Sequence, residues 1–354
     1  MCKSPLHPLL VALPKVEHHL HIEGSLSPEF LFALAARNNI PLPAEDPAYA
    51  SVEALYARYA AFTSLDDFLG YHYTGMRFLI TAADFEELAY RYFQHVHETA
   101  RVRHAEIFFD PQMHTARGVS YHTVIEGLKA GQRRAEAEFG LTSLVTPCLL
   151  RHLPVSDSAA MWEEIKASGH FADGTLAGLG LCSTEKAKPP AAWADIFVEA
   201  KALGIRRTVH AGEEGPAQYV VDALDKLGAM RIDHGVRAAE DAAVLKRLVD
   251  DGIMLTVCPI SNVALKVFKD VSEGPIRKLL DAGVKFSINS DDPGYFGGYI
   301  QENYCAVEEA FGLSLDEWEG VVRDAILLSW AEEERKQAIL GEIDAVLADW
   351  KTKA

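Results

Sequence analysis

The chain has 354 residues, which allows either two ordinary cores of ~100–150 residues or one large α/β barrel. Its 49% hydrophobic and 24% charged composition is that of a globular protein and excludes a disordered, collagenous or coiled-coil chain. Thirty-four Lys and Arg against 51 Asp and Glu give a net charge of −17, which repels phosphate backbones and acidic lipid, so neither nucleic acid nor membrane is expected as a partner.

Near the N-terminus the apolar run 9–13 is too short for a signal-peptide core. No run reaches the ~18 apolar residues of a membrane span. The five cysteines at 2, 148, 182, 258 and 305 are odd in number and form no C-x-x-C pair, so a reducing, cytoplasmic location is expected. Eight short runs rich in Val, Ile, Leu and Phe read as strands: 15–22, 104–110, 143–150, 176–181, 206–211, 231–235, 254–259 and 284–290. Several are apolar on both faces, as buried parallel strands are.

Amphipathic stretches separate them. Ser27 as N-cap and Pro28 as first helical residue open a helix through 30–38. Residues 85–101, 123–139, 192–203, 217–227, 241–251 and 275–282 also read as helices, and Gly204, Gly252 and Gly283 end three of them. Strand followed by helix, eight times, predicts a (β/α)8 TIM barrel, with residues 1–354 as one domain. A doubly wound sheet is the runner-up, but G-x-G-x-x-G is absent after the first strand. Residues 44–103 form a helical insertion after the first strand and helix, suited to a cap or to contact with a second copy in a homo-oligomer. The helical tail 314–354 carries Trp318, Trp330 and Trp350 as packing anchors.

A barrel puts its chemistry at the C-terminal strand ends. The first strand ends Glu17-His18-His19-Leu20-His21, and alternation sends His19 and His21 to one face, about 7 Å apart. Alone, H-x-H is more often a pair of hydrogen-bonded histidines than a metal pincer. The fifth strand ends His210-Ala211-Gly212-Glu213, the sixth Asp233-His234-Gly235 and the eighth Ser290-Asp291-Asp292-Pro293. Four strands ending in titratable groups point to a catalytic rim. Ser183 and Glu185 follow the fourth strand and are expected to border a substrate. His72, His95, His97 and His122 fall in helical stretches and read as surface or packing residues, whereas His104, His114 and His152 are candidates for the pocket rim.

Residues 14–26 (PKVEHHLHIEGSL), 208–215 (TVHAGEEG), 232–237 (IDHGVR), 258–263 (CPISNV) and 290–298 (SDDPGYFGG) together resemble the adenosine/adenine deaminase family of metal-dependent amidohydrolase barrels. Residues 71–80, 149–153 and 295–304 are more similar to the adenine branch than to the nucleoside branch. The resemblance implies one Zn²⁺ per chain held by His19, His21, His210 and Asp291. It implies that Glu213 protonates N1 of a purine, that His234 orients or deprotonates the attacking water, and that Asp292 bonds N7. The reaction implied is hydrolysis of adenine to hypoxanthine and ammonia, with adenosine and N6-substituted adenines as alternatives.

Two positions depart from the family pattern. His18 stands where an apolar residue is usual, on the face away from the ligands. Cys182 stands where the adenine branch commonly has Asp, which bears on recognition of the 6-substituent. Among other readings, a cytidine-type deaminase lacks its P-C-x-x-C here. A two-metal amidohydrolase lacks a bridging lysine on the fourth strand. A non-catalytic metal-binding protein has no use for Glu213, His234 and Asp292 together.

Overall fold

The eight apolar runs become eight parallel strands because each is buried on both faces. The computed structural model describes residues 2–353. The strands are β1 (Lys15–His21), β2 (Val102–Phe109), β3 (Thr142–Leu150), β4 (Gly178–Cys182), β5 (Arg206–Ala211), β6 (Arg231–His234), β7 (Met254–Val257) and β8 (Phe286–Ile288). They lie in sequence order in one sheet. The sheet closes where the β8 exit meets β1: His21 N donates to Asp291 O at 3.0 Å and Asp291 N to His19 O at 3.0 Å. The architecture is the (β/α)8 barrel that the alternation predicts.

Helices wrap the outside. Ser27 caps Pro28–Arg37 by accepting from Phe30 N, as its sequence position requires. Gly252 and Gly283 close Ala242–Asp251 and Ile276–Ala282 in left-handed backbone. The insertion comprises helices Val52–Tyr59, Leu65–Met76 and Ala82–Ala100, but β2 begins at Val102, inside the range assigned to it. Leu65–Met76 lies over the C-terminal end of the barrel and contributes a wall of the cavity described below.

Three details differ from the sequence reading. A helix at Val155–Ala167, between β3 and β4, is not evident in the sequence. Its buried face is Ser158, Met161, Trp162 and Ile165, and small residues dilute the apolar period. β8 is shorter than 284–290, because Ser290 leaves the ladder and donates its amide to Glu17 Oε1 at 2.8 Å. His18 faces the helix side, fully buried, and burial holds its imidazole down to about 3. In the tail, Trp318 is fully buried and Trp330 stacks on the Arg231 guanidinium at 4.1 Å.

Candidate active site

Four side chains converge at the C-terminal end of the barrel. His19 and His21 share one face of β1, His210 comes from β5 and Asp291 from the β8 exit. His21 Nε2 lies 3.1 Å from His210 Nε2. Asp291 Oδ1 is 3.3 Å from His19 Nε2 and 3.6 Å from His21 Nε2. Ligands on a tetrahedral ion with bonds of ~2.0–2.2 Å are spaced by about 3.3–3.6 Å, so these separations suit a metal. His19 Nε2 is buried with no hydrogen-bond partner, which leaves its lone pair for a cation.

The other ring nitrogens fix the tautomers. His19 Nδ1 donates to Thr256 Oγ1 at 2.8 Å, and Thr256 Oγ1 in turn donates to Asp233 Oδ1 at 3.1 Å. His210 Nδ1 is 3.3 Å from Asp233 Oδ2. Each Nε2 is thereby turned to the cavity, the usual support for a metal-binding imidazole. Ser261 Oγ donates to Asp291 Oδ2 at 2.6 Å and orients the carboxylate.

Around this cluster lies a small cavity, walled on one side by Leu65, Phe68 and His72 of the insertion helix. Glu213, His234 and Asp292 line it. Glu213 Oε2 is 3.6 Å from His234 Nε2, which is 3.8 Å from Asp291 Oδ2. Burial, followed by the charges of Asp291, Glu185 and Glu214, raises the Glu213 carboxyl well above its usual range. Burial, then the charge of His19, holds His234 well below its usual value and so neutral. Asp292 is raised by burial and by Asp291, and its Oδ1 has no partner. Gly24 permits this carboxyl its place, since a Cβ there would lie 2.0 Å from Asp292 Oδ1. Ser183, His234 and Asp291 all hold left-handed backbone, at φ 77°, 59° and 65°. Such strain in non-glycine residues collects at functional sites.

The family model described as Adenosine deaminase matches residues 14–346. The chain belongs to the adenosine deaminase family. Within that family it is 53% identical over 351 residues to the adenine deaminase of Gibberella zeae, covering 99% of each chain. It is 44% identical to the adenine deaminase of Schizosaccharomyces pombe, covering 99% of this chain and 95% of that one. The crystal structure of adenine deaminase from Arthrobacter aurescens superposes with a TM-score of 0.87 at 38% identity, covering 97% of this chain and 100% of that one. An amidohydrolase from Burkholderia ambifaria, solved with bound Zn, superposes with a TM-score of 0.86 at 26% identity, covering 99% and 98%.

For this family member, the expected residues do not all fall where the sequence suggests. Ser183 lines the cavity, and its Oγ meets Tyr73 Oη at 3.1 Å and His152 Nδ1 at 2.9 Å. Glu185, expected to border the substrate, faces the loop after β5 instead. Its carboxylate accepts the amides of Gly212 at 3.0 Å, Glu213 at 3.2 Å and Gly215 at 2.8 Å. A Cβ at Gly215 would lie 2.4 Å from Glu185 Oε2, so the G-E-E-G spacing is the sequence trace of this clamp. Arg151 donates to the His210 carbonyl and lies 3.9 Å from Glu185 Oε1.

His72, read as a surface or packing residue, lines the cavity with Nδ1 3.6 Å from Asp292 Oδ1. His104 bonds Thr142 Oγ1 near the start of β2, so it lies away from the rim. His114 is buried against Glu23 at 2.8 Å. The sequence reading also misses Asp110 and Tyr73, both on the cavity wall. Cys182 stands beside them, with Sγ donating to Asp110 Oδ1 at 3.5 Å.

Proposed function

We propose that this chain is a single catalytic barrel that hydrolyses adenine to hypoxanthine and ammonia, working in the cytoplasm with one Zn²⁺ at this site. The observation that carries the reading is the convergence of three imidazoles, one carboxylate and the Glu213–His234–Asp292 group on one small cavity. The adenine deaminases to which the chain is 44–54% identical over nearly its full length support the substrate. The described cysteines are all free thiols, in keeping with a reducing compartment, and no helix among the described residues is long and apolar enough to cross a membrane.

His19, His21, His210 and Asp291 would hold the metal. When bound, zinc supplies Lewis acidity that brings the pKa of a bound water to ~7. The other residues act on substrate and protons. Glu213 donates a proton to N1, which draws electron density from C6. His234, neutral and 3.6 Å from Glu213, accepts a proton from the attacking water and bonds the oxygen that becomes the 6-oxo group. Asp292 donates from its carboxyl to N7 and fixes the ring plane. The water oxygen ends on C6, the proton taken up by His234 leaves with the amino group as ammonia, and the remaining hydroxyl proton returns to Glu213 as the 6-oxo group forms.

A free base, rather than a nucleoside, suits the cavity. Tyr73, from the insertion helix, closes it together with Ser183 and His152, and a ribose there would displace this polar cluster. An unpaired buried polar group costs about 1–3 kcal/mol, roughly ten- to a hundredfold in selectivity. Ammonia release from adenine, adenosine and N6-isopentenyladenine is the test. Adenine should give a higher kcat/KM than adenosine, and adenosine ahead of both bases would refute the substrate. Elemental analysis tests the metal: His210→Ala should carry one zinc fewer than wild type, and equal content removes His210 from the ligand set.

A further inference from the structure

Three of the five cysteines, Cys148, Cys182 and Cys258, lie in the barrel core, but the other two do not. Cys2 precedes the helix His7–Ala12, and Cys305 is in the helix Ile300–Phe311. Both face one imidazole: Cys2 Sγ is 3.1 Å and Cys305 Sγ 3.5 Å from His7 Nδ1. The two sulfurs and the His7 nitrogen lie within 4.8 Å of one another. One nitrogen lone pair cannot accept from two thiols at full strength.

A fourth polar side chain adjoins the cluster. Gln301, one turn before Cys305, is 6% exposed, and its Oε1 is buried without a partner. Its Nε2 is 3.5 Å from Cys305 Sγ. Turning the amide over exchanges the two atoms and carries the oxygen to that position. One cation would then meet two thiols, an imidazole and that amide oxygen. With Zn–S ~2.3 Å and Zn–N ~2.0–2.1 Å, a tetrahedral site spaces sulfur and nitrogen by about 3.6 Å. The two sulfur–nitrogen separations, 3.1 and 3.5 Å, lie within about 0.5 Å of that spacing.

We propose that Cys2, His7 and Cys305 form a second metal site, for a thiophilic cation of the Zn²⁺ class, with the Gln301 amide oxygen as fourth donor. Binding forms two metal–sulfur bonds and releases the two thiol protons to solvent, so a dication leaves the site neutral. Without the cation the Cys2 proton stays in place, since burial, then the Cys305 side chain, pushes its thiol up to about 11. The segment is already docked there: Lys3 N donates to Glu309 Oε1 at 2.9 Å and Ser4 Oγ to Glu308 Oε1 at 2.6 Å. The site belongs to the opposite end of the barrel from the catalytic cavity. The helix His7–Ala12 leads into the start of β1 at Lys15, while His21 ends that strand six residues on, about 20 Å away. Its role is to tie the N-terminal segment to Ile300–Phe311.

The test uses the full chain with its own N-terminus, purified under reductant, loaded with zinc and desalted. Wild type should hold two zinc ions per chain, and Cys2→Ser, His7→Ala and Cys305→Ser one each with kcat unchanged. Three variants guard against one that fails to fold. Cobalt-loaded wild type should show sulfur-to-metal charge transfer in the near ultraviolet. The band should vanish in Cys305→Ser and persist in Cys182→Ser and Cys258→Ser. His210→Ala should lose one metal yet keep the band, which separates this site from the catalytic one. The proposal fails if wild type and Cys305→Ser bind equal zinc, if the band survives Cys305→Ser, or if a Cys2–Cys305 disulfide persists in reductant.

Discussion

The two ends of the barrel handle buried charge in opposite ways. At the N-terminal end the long basic side chains have partners, either backbone carbonyls or a counter-charge. Lys15 Nζ donates to the carbonyls of Leu10, Leu13 and Ala100 at 2.6, 3.0 and 3.1 Å. Glu106 accepts from the Arg231 guanidinium and from the Trp330 amide. At the C-terminal end Asp110, Glu213 and Asp292 crowd near Asp291, and all three are raised above the carboxylate range with burial the largest cause. Arg151 at that end is engaged by the His210 carbonyl and Glu185. One end spends its charges on holding the barrel. The other keeps acids and imidazoles unsatisfied, a state that a cation and a polar planar ring would relieve.

The largest effect should follow from removing a proton donor at the unsatisfied end. Glu213→Gln is isosteric but cannot donate to N1, and kcat/KM for adenine should fall by about 10²–10⁴. Zinc content and thermal midpoint should stay at wild-type values. Glu214→Gln is the control, because Glu214 pairs with Lys186 at 3.2 Å rather than with the cavity. Activity of Glu213→Gln within a few-fold of wild type would remove Glu213 as the acid.

The paired end should respond in stability instead. Glu106→Gln removes the nearer counter-charge of the buried Arg231 guanidinium and leaves only Asp233, at 3.9 Å, and breaking such a pair costs about 3–5 kcal/mol. The urea midpoint should drop, while kcat/KM of the folded enzyme is unchanged. The Arg231 charge holds the Glu106 carboxyl below its usual range despite burial. A depressed folded pKa means that this stabilisation is complete above the unfolded value of ~4.3 and fades as pH falls below it. The difference in stability between wild type and Glu106→Gln should therefore shrink in acid. A constant difference down to pH ~2 would contradict the ion pair.

Glu185 lies between these cases. It is at the catalytic end but behaves like a structural charge, since its carboxylate is occupied by three amides of the loop that carries Glu213. It is a positioning residue. Glu185→Gln places an NH2 group against amide donors and should let the loop shift. Misplacing an acid by ~1 Å costs up to about a hundredfold, so kcat should fall roughly ten- to a hundredfold with KM little changed. An equal fall in thermal midpoint and in folded fraction, with kcat per folded molecule intact, would reduce Glu185 to a stability role.

The contrast also explains what could be read from sequence. Barrel order was legible because buried parallel strands leave continuous apolar runs, and the ligand-type residues because they end those runs. H-x-H at β1, H-A-G-E at β5 and S-D-D at β8 each couple an apolar strand to a polar exit. Glu185 was misjudged because proximity to a strand end does not say which way a loop carboxylate turns; only the glycines at 212 and 215 hint at a backbone clamp. His72 and Tyr73 were missed as cavity residues because they sit mid-helix, in an insertion whose docking over the rim no local pattern encodes. The Val155–Ala167 helix was hidden by its small residues. Cys2 and Cys305 meet only through the fold.

The smallest predicted effect concerns Cys182. Its Sγ, an Asp110 oxygen and a His21 ring nitrogen lie within 4.8 Å of one another, so it stands beside the proposed metal ligands, where the 6-substituent must leave. The cysteine is 2% exposed and its thiol donates to Asp110. An aspartate here would face a carboxyl that burial, then the charge of Glu23, already raises. Two such groups in contact cannot both ionise, so they share a proton and present a more polar, hydrated surface. An amino leaving group can bond that surface, whereas an N6-alkyl chain must strip it of water. The Cys182→Asp variant should therefore raise the adenine over N6-isopentenyladenine ratio of kcat/KM by roughly tenfold, the scale of one or two misplaced apolar groups. Zinc content should be unchanged. A ratio equal to that of wild type would mean that the thiol does not contact the 6-substituent, although it lines the cavity.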